Sequence, residues 1–150
     1  MVLSVFTDEY FMKEALKEAQ KAFDIDEVPV GAVIVCNEQI IARAHNMSER
    51  LTDATAHAEM QAFTSASNYL GAKFLEECTL YVTVEPCAMC AGASYWTRIG
   101  KIIFGAPEPK KGFTTINSNI LHPKTKLESG LLKEECSSLM TDYFKMKRGK

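Results

Sequence analysis

The chain has 150 residues, a length that predicts one domain over residues 1–150 with one hydrophobic core. Hydrophobic residues make up 47% of the chain and charged residues 24%, an ordinary balance for a globular protein. The net charge of −2 excludes a molecule that attracts nucleic acid over its whole surface, so any basic surface must be local.

Three further features predict a cytoplasmic protein without a membrane anchor. No segment approaches the roughly 20 consecutive apolar residues that a membrane helix needs. The first nine residues lack the charged start and apolar run of a secretory signal. The five cysteines are an odd number, which suits a reducing compartment. Cys36, Cys78 and Cys136 are interpreted as small buried side chains.

The first three elements follow from the apolar pattern. Apolar residues recur on one face of the segment after Thr7, a possible N-cap, and predict a helix that ends before Pro29. Segment 30–36 is a nearly continuous apolar run, which is typical of a buried central strand. A tight turn at 37–38 then leads into a second strand over 39–44.

The rest of the chain continues the alternation of helices and strands. We predict a helix over 56–69, a strand over 79–84, a helix over 87–95 entered through Pro86, a strand over 101–104, a long surface loop over 105–123, a short strand over 126–128 and a helix over 131–146. This order predicts a three-layer α/β/α domain, in which helices cover both faces of one central mixed five-stranded sheet.

Two short motifs carry residues suited to metal chemistry. His57 and Glu59 lie in the tetrapeptide AHAE, and Cys87 and Cys90 lie in the hexapeptide EPCAMC. One imidazole and two thiolates provide three zinc ligands, and a catalytic zinc site keeps its fourth position open for water. The two cysteines are three residues apart, so they share a helix face. They also lie in the first turn, where the helix dipole favours thiolate.

His57 and Glu59 are only two residues apart, so they do not share a face in the middle of a helix. Both reach one metal ion only if they lie at a helix entry. We therefore predict two helix N-termini that point at one zinc ion, preceded by strands that lie side by side or nearly so. Zinc lowers the pKa of bound water to about 7, and Glu59 could carry the water proton to a ring nitrogen and then to a leaving amine. These roles predict a hydrolytic deamination.

Other interpretations of the cysteine pair remain open. A C-x-x-C pair alone also occurs in redox sites and in structural zinc sites. A redox site needs neither the histidine nor the glutamate, and a structural site needs a fourth ligand, for which the other cysteines and histidines lack partner spacing. The combination of H-x-E with P-C-x-x-C is typical of zinc-dependent nucleobase deaminases. A non-catalytic zinc or RNA-binding protein is the alternative from another class.

Longer segments carry a family resemblance. The segments EVPVGAV (27–33), DATAHAE (53–59) and CTLYVTVEPCAMCAGA (78–93) resemble the bacterial tRNA-specific adenosine deaminases, members of the cytidine/deoxycytidylate deaminase superfamily. The similarity extends over nearly the whole chain. It implies a cytidine-deaminase-like fold and one Zn²⁺ per subunit, held by His57, Cys87 and Cys90. It also implies conversion of the wobble adenosine in a tRNA anticodon stem-loop to inosine, by a homodimer whose subunits help to shape each other's active sites.

The resemblance also implies roles for the residues around the metal. Glu59 would be the catalytic proton shuttle, Asn46 would hydrogen-bond the flipped base, and Ala58 would offer it a backbone N–H. Val30 and Pro86 would line the base pocket. Asn46 has an alternative interpretation, because asparagine is a common turn former.

Two features bear on the substrate. Tyr95-Trp96 is also similar to guanine deaminases, so a deaminase of a free base or nucleoside, guanine or cytosine, is the alternative function. The C-terminal run 143–150 mixes aromatic and basic residues, as do surfaces that bind single-stranded RNA. Its cations equally suit the end of a helix. Phe113, in the long loop, is interpreted as a packing anchor.

Overall fold

A computed structural model of the chain describes residues 6–149. The predicted lack of a secretory signal concerns a segment that begins with residues 1–5, and these, like Lys150, lie outside the described residues. The elements in chain order are α1 (Asp8–Asp24), β1 (Gly31–Cys36), β2 (Gln39–His45), α2 (Ala58–Leu70), β3 (Cys78–Val84), α3 (Ala88–Thr97), β4 (Lys101–Ala106), β5 (Lys126–Ser129) and α4 (Lys133–Arg148). The predicted order of helices and strands is confirmed.

The strands form one five-stranded sheet in the order β2-β1-β3-β4-β5. β1 is antiparallel to both β2 and β3, whereas the pairs β3–β4 and β4–β5 are parallel. This confirms the predicted mixed sheet. The strands that precede α2 and α3 are separated by β1 alone, so the two helices begin near each other.

The helices cover both faces of the sheet, as the alternation of side chains along β1 shows. Val33 packs into a cluster with Met12 of α1 and Cys136 of α4. Its neighbour Ile34 points to the opposite face, into the larger cluster that includes Ala62 of α2 and Ala91 of α3. The predicted three-layer α/β/α arrangement is therefore confirmed, with α1 and α4 on one face and α2 and α3 on the other.

A capping residue marks the start of α1, and a tight turn joins β1 to β2. The Thr7 side chain accepts a hydrogen bond from the N–H of Tyr10 at 3.1 Å, so it caps α1. Asn37 and Glu38 have φ angles of 52° and 62°, the left-handed pair that a two-residue hairpin turn requires. The predicted turn at 37–38 is confirmed. Among residues 6–149, no helix is both long and apolar enough to cross a membrane.

Two predictions need correction. Gly105 and Ala106 are buried residues of β4 rather than part of a surface loop, because the pairing of β3 with β4 continues to Ala106. Cys78 and Cys136 are 1% exposed, as predicted, but Cys36 is only partly buried. The interpretation of Phe113 as a packing anchor is confirmed, since this side chain is 0% exposed and lies in the core.

Candidate metal centre and active site

Three donor atoms meet where α2 and α3 begin, beyond the C-terminal ends of β2 and β3. Nδ1 of His57 lies 3.6 Å from Sγ of Cys87 and 3.6 Å from Sγ of Cys90, and all the donor atoms lie within 4.8 Å of one another. A tetrahedral zinc ion with Zn–S and Zn–N bonds of about 2.3 and 2.0 Å places nitrogen and sulfur roughly 3.5 Å apart. The three side chains are therefore positioned to bind a metal ion, and their spacing fits zinc.

Helix capping explains how the sequence sets this geometry. His57 is the N-cap of α2 and Cys87 is the N-cap of α3, both with extended backbone. Neither side chain caps its own helix, so the imidazole and the thiol are available to a shared ligand. Cys90 follows in the first turn of α3 and is 1% exposed. The predicted meeting of two helix N-termini is confirmed.

The three donor side chains differ in the direction of their pKa shifts. A hydrogen bond from Cys90, assisted by one from His57, lowers the pKa of the Cys87 thiol to about 4. The pKa of Cys90 is raised, first by its hydrogen bond with Cys87 and then by burial. The hydrogen bond with Cys87 also raises the pKa of His57. Metal binding requires thiolates and a neutral imidazole, so loading this site releases protons.

Glu59 is buried beside the donors, at the second residue of α2. The residue is 4% exposed, and its carboxyl group forms a hydrogen bond with Cys90. Burial raises the pKa of Glu59 to about 7. A carboxyl group with a pKa near neutrality, within reach of the metal site, is suited to accept and donate protons.

Asn46 is hydrogen-bonded to Val30 through the backbone, and Ala58 directly follows His57. The N–H of Asn46 donates to the carbonyl of Val30 at 3.1 Å, and Ala58 is the first residue of α2 after its His57 cap. Asn46 is 7% exposed, and its Oδ1 accepts only a long hydrogen bond of 3.4 Å, from the N–H of Ser48. The turn-forming interpretation of Asn46 thus depends on a weak hydrogen bond. Asn46 also contacts Val30, another residue predicted to bind the base.

Gln61 is a residue of the site that sequence reasoning missed. Its Nε2 donates to the carbonyl of His45 at 2.8 Å and to that of Ala56 at 3.1 Å. It therefore ties the end of β2 to the loop that enters α2, and it fixes Asn46 relative to His57. The available signal was an amide four residues after His57, one helical turn into α2.

Pro86 and Glu85 connect the turn before α3 to the loop that follows β4. Pro86 is buried, and its carbonyl accepts a hydrogen bond from the N–H of Phe113 at 2.9 Å. Glu85, also missed by sequence reasoning, is 6% exposed and binds the loop after β4 through its carboxylate. A carboxylate directly before a Pro-Cys pair at a strand end was the signal that could have drawn attention to it.

Three ligands leave a zinc ion a position for water, and Glu59 adds a proton acceptor next to it. A site of this kind, at one edge of a sheet covered on both faces, defines a zinc-dependent deaminase. The chain belongs to the cytidine and deoxycytidylate deaminases: the family model described as "Cytidine and deoxycytidylate deaminase zinc-binding region" matches residues 6–106. Zinc is therefore the cofactor of this site.

Individual relatives are similar over most of the chain. The sequence is 47% identical over 148 residues to the tRNA-specific adenosine deaminase of Bacillus subtilis (strain 168), and the match covers 95% of this chain and 92% of that protein. A solved structure from a study of A-to-I editing by tRNA:A34 deaminases has a TM-score of 0.80 and 39% identity, with 87% of this chain and 98% of that chain covered. The guanine deaminase of Bacillus subtilis has a TM-score of 0.67 and 36% identity over 78% of each chain.

Proposed function

We propose that this protein is a zinc-dependent hydrolase that converts the wobble adenosine of a tRNA anticodon loop to inosine and releases ammonia. The observation that carries this proposal is the group of His57, Cys87 and Cys90 with the buried Glu59 beside it. It occurs in a chain that matches a tRNA-specific adenosine deaminase over 95% of its length. We assign residues 1–150 to a single deaminase domain.

The proposed chemistry divides between the metal ligands and one carboxyl group. His57, Cys87 and Cys90 hold the zinc ion, which when bound lowers the pKa of water to about 7 and so supplies a nucleophile at neutral pH. Glu59 accepts one proton of that water and delivers it to the ring nitrogen of the base. It then takes the second proton, from the hydroxyl group added to the ring carbon, and passes it to the amino group, which leaves as ammonia while the carbonyl of inosine forms.

The residues around the zinc site bind the base. The side chain of Asn46 hydrogen-bonds the base, and the N–H of Ala58 does the same from the first turn of α2, where N–H groups lack partners within the helix. Val30 and Pro86 form the apolar walls. An unpaired anticodon loop lets the base leave its stack at low cost, which fits an enzyme that must enclose its target.

We further propose a homodimer. Tyr95 and Trp96 are 41% and 76% exposed, near the end of the helix that carries Cys90. Large aromatic side chains exposed in this way are typical of interfaces. A second copy bound here would cover both side chains. Sedimentation velocity should give a dimer for the wild-type protein and a shift toward monomer for Trp96→Glu.

A cytoplasmic location is proposed on two grounds. None of the five cysteines, all of which lie within residues 6–149, forms a disulfide, which is the state that a reducing compartment maintains. The proposed substrate is also a cytoplasmic RNA.

The competing function is deamination of a free base or nucleoside, guanine or cytosine. The guanine deaminase of Bacillus subtilis shares 36% identity with this chain, and the Tyr95-Trp96 pair is similar to that branch. The test is to incubate the zinc-loaded protein with an anticodon stem-loop carrying a wobble adenosine, and separately with guanine, cytosine and cytidine. A stem-loop with guanosine at the target position is the control substrate.

Inosine formed only in the adenosine stem-loop is the expected result. Xanthine, uracil or uridine from the free substrates, with unreacted RNA, would establish the competing function instead. A zinc-loaded protein that turns over none of these substrates would refute both enzymes and would point to a non-catalytic zinc or RNA-binding protein.

A further inference from the structure

Glu85 is a buried carboxylate that the proposed chemistry does not use. It lies between the end of β3 and Cys87 and is 6% exposed. Its Oε1 accepts a hydrogen bond from the N–H of Glu108 at 3.1 Å. Its Oε2 accepts hydrogen bonds from Thr114, at 3.1 Å from the N–H and at 2.7 Å from the hydroxyl. One carboxylate thus holds both ends of loop 107–115, which follows β4.

Additional contacts hold the same loop against the metal-binding turn. The N–H of Phe113 donates to the carbonyl of Pro86 at 2.9 Å, and Gly112 forms an isolated β-bridge with Cys87. Gly112 has no space for a side chain, because a Cβ atom there would overlap the carboxylate of Glu85. The loop therefore lies directly beside one of the cysteine donors.

The outer side of loop 107–115 is basic. Lys110 and Lys111 are exposed, and their backbone N–H groups donate to Oε1 of Glu108 at 2.8 and 3.3 Å. The N–H of the same Glu108 is the group that Glu85 binds. Because the net charge of the chain is −2, contact with an RNA backbone depends on local cations such as these.

We infer that Glu85 is a positioning residue that sets the affinity for the RNA substrate by fixing loop 107–115 at the edge of the metal site. The inference rests on the proposed function. An uncharged amide cannot replace this carboxylate, because the NH₂ of glutamine would oppose an N–H donor of Glu108 or Thr114. If the loop is released, it must be ordered again when RNA binds, and the free-energy cost of that ordering weakens RNA binding. The metal ligands and Glu59 are not displaced, so the rate of the chemical step should change little.

The test compares kinetic constants for the wobble-adenosine stem-loop. Glu85→Gln should raise KM roughly tenfold, the factor expected when a buried charge no longer accepts its hydrogen bonds. It should keep kcat within about threefold and bind as much zinc as the wild type. Thr114→Val removes the hydroxyl hydrogen bond and should raise KM by a smaller factor, whereas Thr114→Ser should restore the wild-type value. Glu134→Gln, an exposed glutamate of α4, is the matched control.

The same variants distinguish this inference from the proposed function. Hydrogen exchange of segment 107–115 should be faster in Glu85→Gln than in the wild type, and fluorescence anisotropy should show weaker stem-loop binding even if no inosine forms. Absence of inosine with the wild type refutes the proposed function alone. Unchanged exchange and unchanged RNA affinity in both Glu85→Gln and Thr114→Val overturn the positioning role. A fall in zinc content or kcat with KM unchanged also overturns it, since Glu85 would then serve only the metal centre.

Discussion

At the scale of single residues, the site depends on two acidic side chains whose pKa values the fold shifts in opposite directions. Burial raises the pKa of Glu59 to about 7, and hydrogen bonds lower the pKa of Cys87 to about 4. Cys87 is thereby prepared as a thiolate ligand, and Glu59 as a group that exchanges protons near neutral pH. Both lie at helix entries, where the free N–H groups and the helix dipole favour negative charge.

Replacing Glu59 tests the division between metal binding and proton transfer. Glu59→Gln keeps the volume of the side chain and removes its acid–base function. We expect turnover of the stem-loop to fall by roughly 10²–10⁴-fold, the usual contribution of a positioned acid or base. Zinc content should stay at the wild-type level, because the three donors are unchanged. Inosine formation and elemental analysis measure the two effects, and full activity in this variant would exclude the shuttle role.

The cysteines allow a matched comparison of metal ligand and core residue. Cys87→Ala removes one of three donors, so the purified protein should contain far less zinc than the wild type and should form no inosine. Cys136→Ala removes an equally small side chain that is 1% exposed and packs against α1 and the sheet. It should lower stability by about 1 kcal/mol and keep its zinc. Equal zinc content in the two variants would contradict the assignment of Cys87.

At the scale of elements, helix α1 approaches the start of β1 very closely. A Cβ atom on Gly31 would overlap backbone atoms of Ala15 and Ala19. The N–H of Gly31 also donates to Oγ1 of Thr83 in the buried interior, at 3.1 Å. Gly31 is the first residue of β1 and is preceded by Val30, so the packing of α1 also fixes one wall of the proposed base pocket.

Gly31→Ala should therefore reduce the free energy of unfolding by about 2–3 kcal/mol, because backbone atoms cannot move aside as a flexible side chain would. Gly92→Ala is the control, since a Cβ atom there meets nothing within 4 Å. In the middle of α3 it should be neutral or stabilising by up to about 1 kcal/mol. Chemical denaturation of both variants measures the difference, and equal stability would refute the close-packing argument.

The elements and the metal ligands could be predicted from sequence because their signals are local. Local patterns of apolar, capping and turn residues predicted the α-helices α1 to α4 and the strands β1 to β5, and the spacing within AHAE and EPCAMC predicted the donor set, since each motif forms one helix entry. The contacts of Glu85, and the contact of Gln61 with His45, could not be predicted, because these partners come near only in the finished fold. Glu85 binds Glu108 and Thr114, which lie 23 and 29 residues along the chain. Their approach depends on the parallel pairing of β3 with β4.

At the scale of the whole molecule, the C-terminal helix combines packing with exposed charge. Tyr143 is 5% exposed, packs against Phe23 and hydrogen-bonds Asp26. Lys147 pairs with the same aspartate at 3.1 Å. These two residues of the run 143–150 thus attach α4 to the end of α1. Lys145 and Arg148 are exposed and are the cations of segment 143–149 that remain for the proposed contact with RNA.

The salt dependence of RNA binding shows whether the cations at the end of α4 contact RNA or only stabilise the helix. The double variant Lys145→Gln, Arg148→Gln should bind the stem-loop more weakly. The slope of log K against log salt should shrink by about 0.7 for each phosphate that the variant no longer neutralises. Lys13→Gln, Lys17→Gln removes the same charge from the exposed side of α1 and should leave the slope unchanged. If the α4 variant also keeps the wild-type slope, the basic end of the chain serves only to stabilise its helix, and RNA must meet its cations elsewhere, first at Lys110 and Lys111.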